Sequence, residues 1–123
     1  MKQVKLHNLT NTQINYLIAK IVSEYSHHVE VDSQGFVYLE GRIYSPATSW
    51  AIAGPLIEEN SLFVVHWQQI GQWEALQQDD ESHYVDVSEN SFDGVRDTTP
   101  LRAAMKLLIQ IAYGNEVSLP ETL

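Results

Sequence analysis

The sequence predicts an α+β domain in which an N-terminal and a C-terminal helix pack on a small antiparallel sheet. Three observations carry this prediction: helical periodicity near both ends, alternating apolar and polar residues between them, and an irregular stretch at about 46–60 that is typical of a short broken helix. A chain of 123 residues has the usual length of one domain, so we expect residues 1–123 to fold as a single unit.

The first helix is predicted over residues 11–25. Thr10 is a favourable N-cap, and Gln13 follows three residues later, which is the spacing of a capping box. Apolar side chains then recur at intervals of three and four residues and form one stripe for the core: Ile14, Leu17, Ile18, Ile21 and Tyr25.

Two groups of strands are predicted between the helices. Residues 29–31 and 36–39 flank an Asp-Ser-Gln-Gly turn and read as a hairpin. Further along, β-branched and aromatic residues predict a three-stranded meander over 61–67, 72–77 and 82–87. Residues 88–97 show no period and are predicted to be an irregular connection.

The last helix has the clearest boundaries. Thr99 is expected as N-cap, Pro100 as the first helical residue and Gly114 as the residue that ends the helix. The apolar stripe between them is wide, so this helix should be buried on more than one side. Residues 116–123 are predicted to be a tail, because Pro120 prevents further helix.

The irregular stretch 44–60 interrupts both periodicities. We expect Pro46 to start one helical turn with Ser45 as its N-cap, and Gly54-Pro55 to interrupt the helix and restart a second short turn. Asn60 is expected to end that turn in a left-handed conformation. Trp50, in so irregular a segment, is the tryptophan best placed to form a pocket wall or an interface, with burial in the core as the alternative.

The formal net charge of −9 argues against nonspecific nucleic-acid binding, which requires a basic surface. Acidic residues concentrate in segment 79–97, where seven carboxylates accompany a single arginine. This segment is either a solvated loop or an acidic surface that meets a basic partner. No apolar run is long enough to span a membrane and the N-terminus does not resemble a secretion signal, so we expect a cytoplasmic protein.

Two charged residues are candidates for a site. Arg102 lies in the first turn of the last helix, where the helix dipole disfavours a cation, so it either forms a salt bridge to Asp97 or Glu58 or joins Thr99 in holding an anion. Glu58 lies near a helix C-terminus, which disfavours an anion, and we expect an arginine to compensate it, namely Arg42, Arg96 or Arg102.

The sequence contains no catalytic signature. There is no cysteine, no glycine-rich phosphate loop and no Gly-x-Ser-x-Gly motif. The histidines lie at spacings that do not converge on one ion, so we expect neither metal nor cofactor. A hydrolase using Glu58 and His83 is a distant alternative, because these two groups would have to meet in one cleft.

Two long blocks of sequence, 44–59 and 98–117, resemble the NinX-like family of phage proteins. Residues 9–20 and the Trp-Glu-Ala step at 73–75 are also similar to this family. The chain differs from it in having Ala53 before Gly54 where a second glycine is common, and in a longer and more acidic segment 77–97. The resemblance implies a small phage or prophage accessory protein that acts in the infected bacterial cytoplasm, and it supplies no catalytic residues.

We therefore predict a non-enzymatic binding protein that engages a host or phage protein through an acidic surface. The alternative is sequestration of a small anionic or nucleotide-like ligand in an aromatic and arginine pocket, which requires Trp50 and Arg102 to converge. The expected binding residues join the irregular stretch to the start of the last helix: Tyr44, Trp50, Glu58, Trp73, Thr99 and Arg102. A homo-oligomer is also plausible.

Overall fold

The computed structural model describes residues 1–23, 28–78 and 94–123, and within these ranges the predicted α+β class is confirmed. The described helices are α1 (Asn11–Val22), α2 (Trp50–Glu59) and α3 (Pro100–Tyr113). The described strands are β1 (Lys2–Lys5), β2 (Val29–Val31), β3 (Val37–Leu39), β4 (Arg42–Ile43), β5 (Leu62–Trp67), β6 (Gln72–Gln77), β7 (Val95–Asp97) and β8 (Glu116–Leu119).

The strands of the described ranges form three small antiparallel sheets rather than one: β1–β8, β2–β3–β4 and β5–β6–β7. The core lies around α3, which packs against α1 and against the β5–β6–β7 sheet. In the part of the chain that the structure describes, no helix has both the length and the apolar character needed to cross a bilayer.

The prediction of a C-terminal tail was wrong for its first half. Strand β8 pairs with β1 along its whole length, from Lys5 opposite Glu116 to Lys2 opposite Leu119. Val117 and Leu119 are buried while Glu116 and Ser118 are exposed, which is the period of two expected for a strand with one covered face. The ends of the described chain therefore lie side by side.

The connection predicted over 88–97 also ends in a strand. Strand β7 pairs with β6, with Val95 opposite Ala75 and Asp97 opposite Trp73. Val95 and Asp97 are buried and Arg96 is exposed. Burial therefore alternates along this short strand, although the buried Asp97 is charged. The strand predicted at 82–87 lies outside the described residues, as does most of the acidic segment.

Helix α1 begins as predicted. The Gln13 backbone N–H donates to Thr10 Oγ1 at 3.2 Å, and the Thr10 backbone N–H donates to Gln13 Oε1 at 2.9 Å, which completes the capping box. The helix spans Asn11–Val22, with the Ser23 N–H bonded to the carbonyl of Ala19. Tyr25, the last residue of the predicted stripe, lies outside the described residues.

Helix α2 differs from the expected pair of broken turns. The Ser45 carbonyl accepts from the N–H groups of Thr48 and Ser49 in a separate turn, and α2 then runs without a break through Gly54 and Pro55. Proline removes only one helical hydrogen bond at this position, and the packing of Leu56 and Ile57 against the core holds the following turn in place. Ser61, not Asn60, takes the positive φ, at 54°.

Helix α3 has the predicted boundaries. Thr99 Oγ1 accepts from the Arg102 N–H at 3.1 Å, Pro100 occupies the first turn, and Gly114 follows the helix with φ of 89°. Eight of its residues are buried, among them the consecutive run from Ala103 to Ile109. That run includes Lys106, which the apolar periodicity does not account for.

Candidate functional site

A buried carboxylate organises the start of α3. Asp97, at the end of β7, accepts a hydrogen bond from Arg102 Nε at 3.1 Å through Oδ1 and forms an ion pair with Lys106 Nζ at 2.7 Å through Oδ2. The Thr98 backbone N–H donates to the same Oδ1 at 2.6 Å. Of the alternatives considered for Arg102, the salt bridge to Asp97 is therefore present in the structure.

Arg102 and Lys106 also donate hydrogen bonds to residues near the start of the chain. Arg102 Nη2 donates to the carbonyl of Leu9 at 2.7 Å, Arg102 Nη1 donates to Asn11 Oδ1, and Lys106 Nζ donates to the carbonyl of His7 at 3.2 Å. All three guanidinium nitrogens of Arg102 thus have acceptors within the protein, and none of these acceptors is on α2. We call Asp97, Arg102 and Lys106 the charged junction.

The charged junction keeps Asp97 ionised. Burial would by itself raise the pKa of this carboxyl, but Lys106, Arg102 and the Thr98 N–H outweigh that effect and lower the pKa from 3.8 to about 2. Asp97 and Lys106 are 9% and 3% exposed, so removal of one charge would leave the other without a partner in a poorly solvated site.

Thr99 and Trp73 lie next to the charged junction. Thr99 acts as the N-cap of α3 through its hydroxyl. Trp73 is opposite Asp97 in the β6–β7 pair, is half-buried, and stacks on His66 with ring centroids 4.4 Å apart. Three of the six predicted binding residues, Trp73, Thr99 and Arg102, are therefore gathered around the junction of β7 and α3.

The other three predicted residues lie on α2 or just before it. Trp50 is the first residue of α2 and is 56% exposed, so it is not a core residue. Glu58 is exposed and forms no ion pair with any described residue, and the arginine expected to compensate it was not found there. Tyr44 is half-buried, and its burial, with a smaller contribution from Glu59, raises the pKa of its hydroxyl.

The solvent side of α2 has an unusual composition. Ala53 is fully buried and Leu56 and Ile57 pack on the core, which leaves the opposite side outward. That outward side, here called the α2 face, consists of Trp50, Ala51, Gly54, Pro55, Glu58 and Glu59. It carries apolar or small residues and two carboxylates, whereas the outward side of a surface helix ordinarily carries mixed polar residues.

More exposed apolar side chains are found next to the β2–β3–β4 sheet, just before β3 and at the end of β4. Phe36 and Ile43 are 48% and 55% exposed. Tyr44 lies between two grooves: one of about 480 Å³ is shared with Arg42 and Ile52, and one of about 250 Å³ is shared with Phe36. Because Ile43 lines both grooves and Ile52 belongs to α2, these apolar side chains are continuous with that helix.

A separate cleft of about 570 Å³ lies where β1, β6, β7 and the end of α3 meet. Its lining includes Glu74, a fully buried carboxylate that we did not predict as a site residue. One sequence signal for its burial was present, since Glu74 shares a strand face with apolar Leu76.

Metal and hydrolase sites have no support in the described residues. Within ranges 1–23, 28–78 and 94–123 no three histidine, aspartate or glutamate side chains come close enough to hold a metal ion. The proposed hydrolase pair includes His83, which lies outside those ranges.

The family model described as Bacteriophage P22, NinX matches residues 5–110, which run from the end of β1 to the last turn of α3. Curated proteins give no match to this chain.

Proposed function

We propose that this chain, which belongs to the bacteriophage P22 NinX family, binds a basic protein of the phage or its host through the α2 face. Family membership makes it a phage accessory protein. In our proposal it acts in the host cytoplasm, catalyses no reaction and does not bind nucleic acid directly. The observation that carries the proposal is the α2 face itself, where an exposed tryptophan adjoins small residues and two carboxylates that have no ion-pair partner among the described residues.

Trp50 supplies the central contact. Tryptophan is among the residues most enriched at the energetic centres of protein interfaces, because it buries a large apolar area with little loss of side-chain freedom. On this protein its side chain is 56% exposed, next to exposed Ala51. A partner that covers Trp50 removes apolar surface from water without rearrangement of the core.

Gly54 and Pro55 also support the proposal that the α2 face is a binding surface. Within a helix, glycine is less favourable than alanine by about 1 kcal/mol and proline by about 3 kcal/mol. A Cβ added to Gly54 would meet no heavy atom within 4 Å, and its φ is not in the left-handed range, so neither packing nor backbone geometry requires glycine there. A flat helix surface that a partner can approach closely accounts for these two residues.

Charge identifies the class of partner. The α2 face has two carboxylates and no basic residue, and the whole chain has a net charge of −9. Segment 79–93 contributes six acidic residues and no lysine or arginine to that total. An acidic protein attracts basic partners over long distances and repels other acidic proteins. A second copy of this chain is a poorer occupant for that reason.

The proposal can be tested by capture with matched surface variants. Tagged wild-type protein and the variants Trp50→Ala, Glu58→Lys/Glu59→Lys and Ile111→Ala would be purified from infected cells at low salt. Ile111 is the control, because it is an apolar side chain with similar exposure, 54%, near the end of α3. We expect one basic protein to be retained by the wild type and Ile111→Ala, and lost from the other two variants.

Retention must also fall as salt is raised, because screening weakens attraction between exposed charges. An acidic captured protein would contradict the proposal. So would a basic protein that is retained equally by Trp50→Ala. Native mass spectrometry of the same samples would detect a homo-oligomer or a bound metabolite.

Sequestration of a small anionic or nucleotide-like ligand is the second candidate. Arg102 suits it poorly, because all of its nitrogens that donate hydrogen bonds are engaged within the protein. The observation in its favour is the groove of about 480 Å³, in which exposed Arg42 lies beside Tyr44 and Ile52. Saturable binding of a nucleoside monophosphate that Arg42→Ala abolishes would favour this candidate over the first.

A further inference from the structure

Glu74 is a buried carboxylate with only one oxygen engaged. It is 0% exposed. The indole N–H of Trp67 donates to Oε1 at 2.9 Å. Oε2 has no hydrogen-bond donor among the described residues, and its ion pair with Arg96 Nε spans 4.0 Å, which is too long for a hydrogen bond. A buried acceptor without a donor is costly, so this oxygen is suited to receive a donor from a ligand.

Gly94 shapes the space beside that oxygen. A Cβ at position 94 would lie 2.6 Å from Glu74 Oε2 and 2.8 Å from the carbonyl of Ala75. Any other residue would therefore have to displace the carboxylate or the strand. Glycine keeps Glu74 in place and leaves the backbone close to Oε2.

The cleft around Glu74 has the size and polarity of a small-molecule site. Its volume is about 570 Å³, within the range of roughly 300–1,000 Å³ that is usual for ligand pockets. Its polar lining includes a second carboxylate, Glu116, and the side-chain amides of Gln110 and Asn115, which are bonded to each other at 2.7 Å. Two cations also line the cleft, Lys5 on the β1 side and Arg96 on the β7 side.

We propose that this cleft binds a small organic molecule through a primary ammonium group that donates to Glu74 Oε2. Arg96 Nε forms an ion pair with Oε2 at 4.0 Å but does not donate a hydrogen bond to it, and an ammonium supplies that charge-assisted hydrogen bond. A metal ion is a poorer occupant, because the described residues bring no three metal-ligating side chains together. Glu116 and the amide oxygens can accept from a second amino group, and Lys5 can receive an anionic end.

Calorimetric titration of the purified protein tests the proposal. The probes are putrescine, which has two ammonium groups, and L-lysine, which also has a carboxylate. Butane-1,4-diol and acetate lack the ammonium group and serve as controls. We expect saturable binding of at least one amine and none of the controls. Stronger binding of putrescine would indicate that Glu116 binds the second ammonium group. Stronger binding of L-lysine would indicate that Lys5 binds the carboxylate.

The variants Glu74→Gln and Glu30→Gln make the same chemical change at two places. Glu74→Gln keeps the side-chain shape and replaces the acceptor at Oε2, so we expect amine affinity to fall at least tenfold. Glu30 is exposed on β2, so Glu30→Gln should leave affinity unchanged. Circular dichroism would verify that both variants are folded. Absence of amine binding to the wild type at millimolar concentrations, or equal binding by Glu74→Gln, would overturn the proposal.

Discussion

The charged junction and the α2 face use charge in opposite ways. At the junction, Asp97, Arg102 and Lys106 neutralise one another and bind carbonyl groups of the first residues of the chain. On the α2 face, Glu58 and Glu59 are exposed, have no ion-pair partner among the described residues and lie on the same helix as an exposed tryptophan. Charges with partners inside this protein serve the fold, whereas exposed charges without a partner among the described residues are available to another molecule.

The largest effect is expected at the junction. Asp97→Asn keeps the shape of the side chain but leaves Lys106, which is 3% exposed, without its counter-ion. Breaking a buried ion pair in this way typically costs about 3–5 kcal/mol. Urea denaturation should show a loss of this size in the free energy of unfolding, whereas Glu58→Gln should change it by less than about 0.5 kcal/mol. Equal losses of unfolding free energy in Asp97→Asn and Glu58→Gln would contradict the different roles given to the charged junction and the α2 face.

The junction should also make stability depend on pH at the acid end. The pKa of Asp97 is lowered from 3.8 to about 2, so its stabilising effect is fully present above the unfolded-state value and is lost as pH falls through the folded-state value. A difference of this size corresponds to about 2 kcal/mol. Unfolding free energies between pH 5 and pH 2 should therefore decline more in the wild type than in Asp97→Asn. Parallel declines would show that Asp97 is not responsible.

Two glycine substitutions compare open surface with packed interior. Gly54→Ala places a methyl group in open space within α2, so we expect it to raise the free energy of unfolding by up to about 1 kcal/mol. Gly94→Ala forces a methyl group against Glu74 and Ala75, so it should lower stability. Thermal denaturation of both variants shows whether each substitution raises or lowers stability. A stabilised Gly94→Ala would mean that Glu74 is not held as described.

The smallest effect on stability is expected for Trp50→Ala. Since Trp50 is 56% exposed, its removal should change the free energy of unfolding by less than about 0.5 kcal/mol, although tryptophan is the largest side chain. Chemical denaturation measures this directly. A loss of several kcal/mol would show that Trp50 supports the core and would remove the main argument for the α2 face.

Features decided by neighbouring residues were predictable from the sequence. The capping box of Thr10 and Gln13 and the Thr99, Pro100 and Gly114 boundaries of α3 depend on residues a few positions apart, and both are present. The salt bridge between Asp97 and Arg102 was also anticipated as one alternative, because the two residues are only five positions apart.

Features decided by distant residues were not predictable in the same way. Strand β8 exists because β1 lies beside it, more than a hundred residues away in sequence. Lys106 interrupts an apolar helix face, and nothing near it in sequence shows that Asp97 and the carbonyl of His7 will surround its ammonium group. Helix α2 continues through Pro55 because the core holds its next turn, which outweighs the local preference.

The contacts between the charged junction and the start of the chain also bear on how the protein folds. Arg102 reaches Leu9 across 93 residues and Lys106 reaches His7 across 99. Contacts of such separation form slowly, because a long segment must close before they stabilise anything. Until that closure, the ammonium of Lys106 lacks the His7 carbonyl that accepts from it in the folded protein. Burial of Lys106 before that closure would leave one of its donors without its acceptor, so the meeting of the first residues with α3 contributes to the stability of the buried helix.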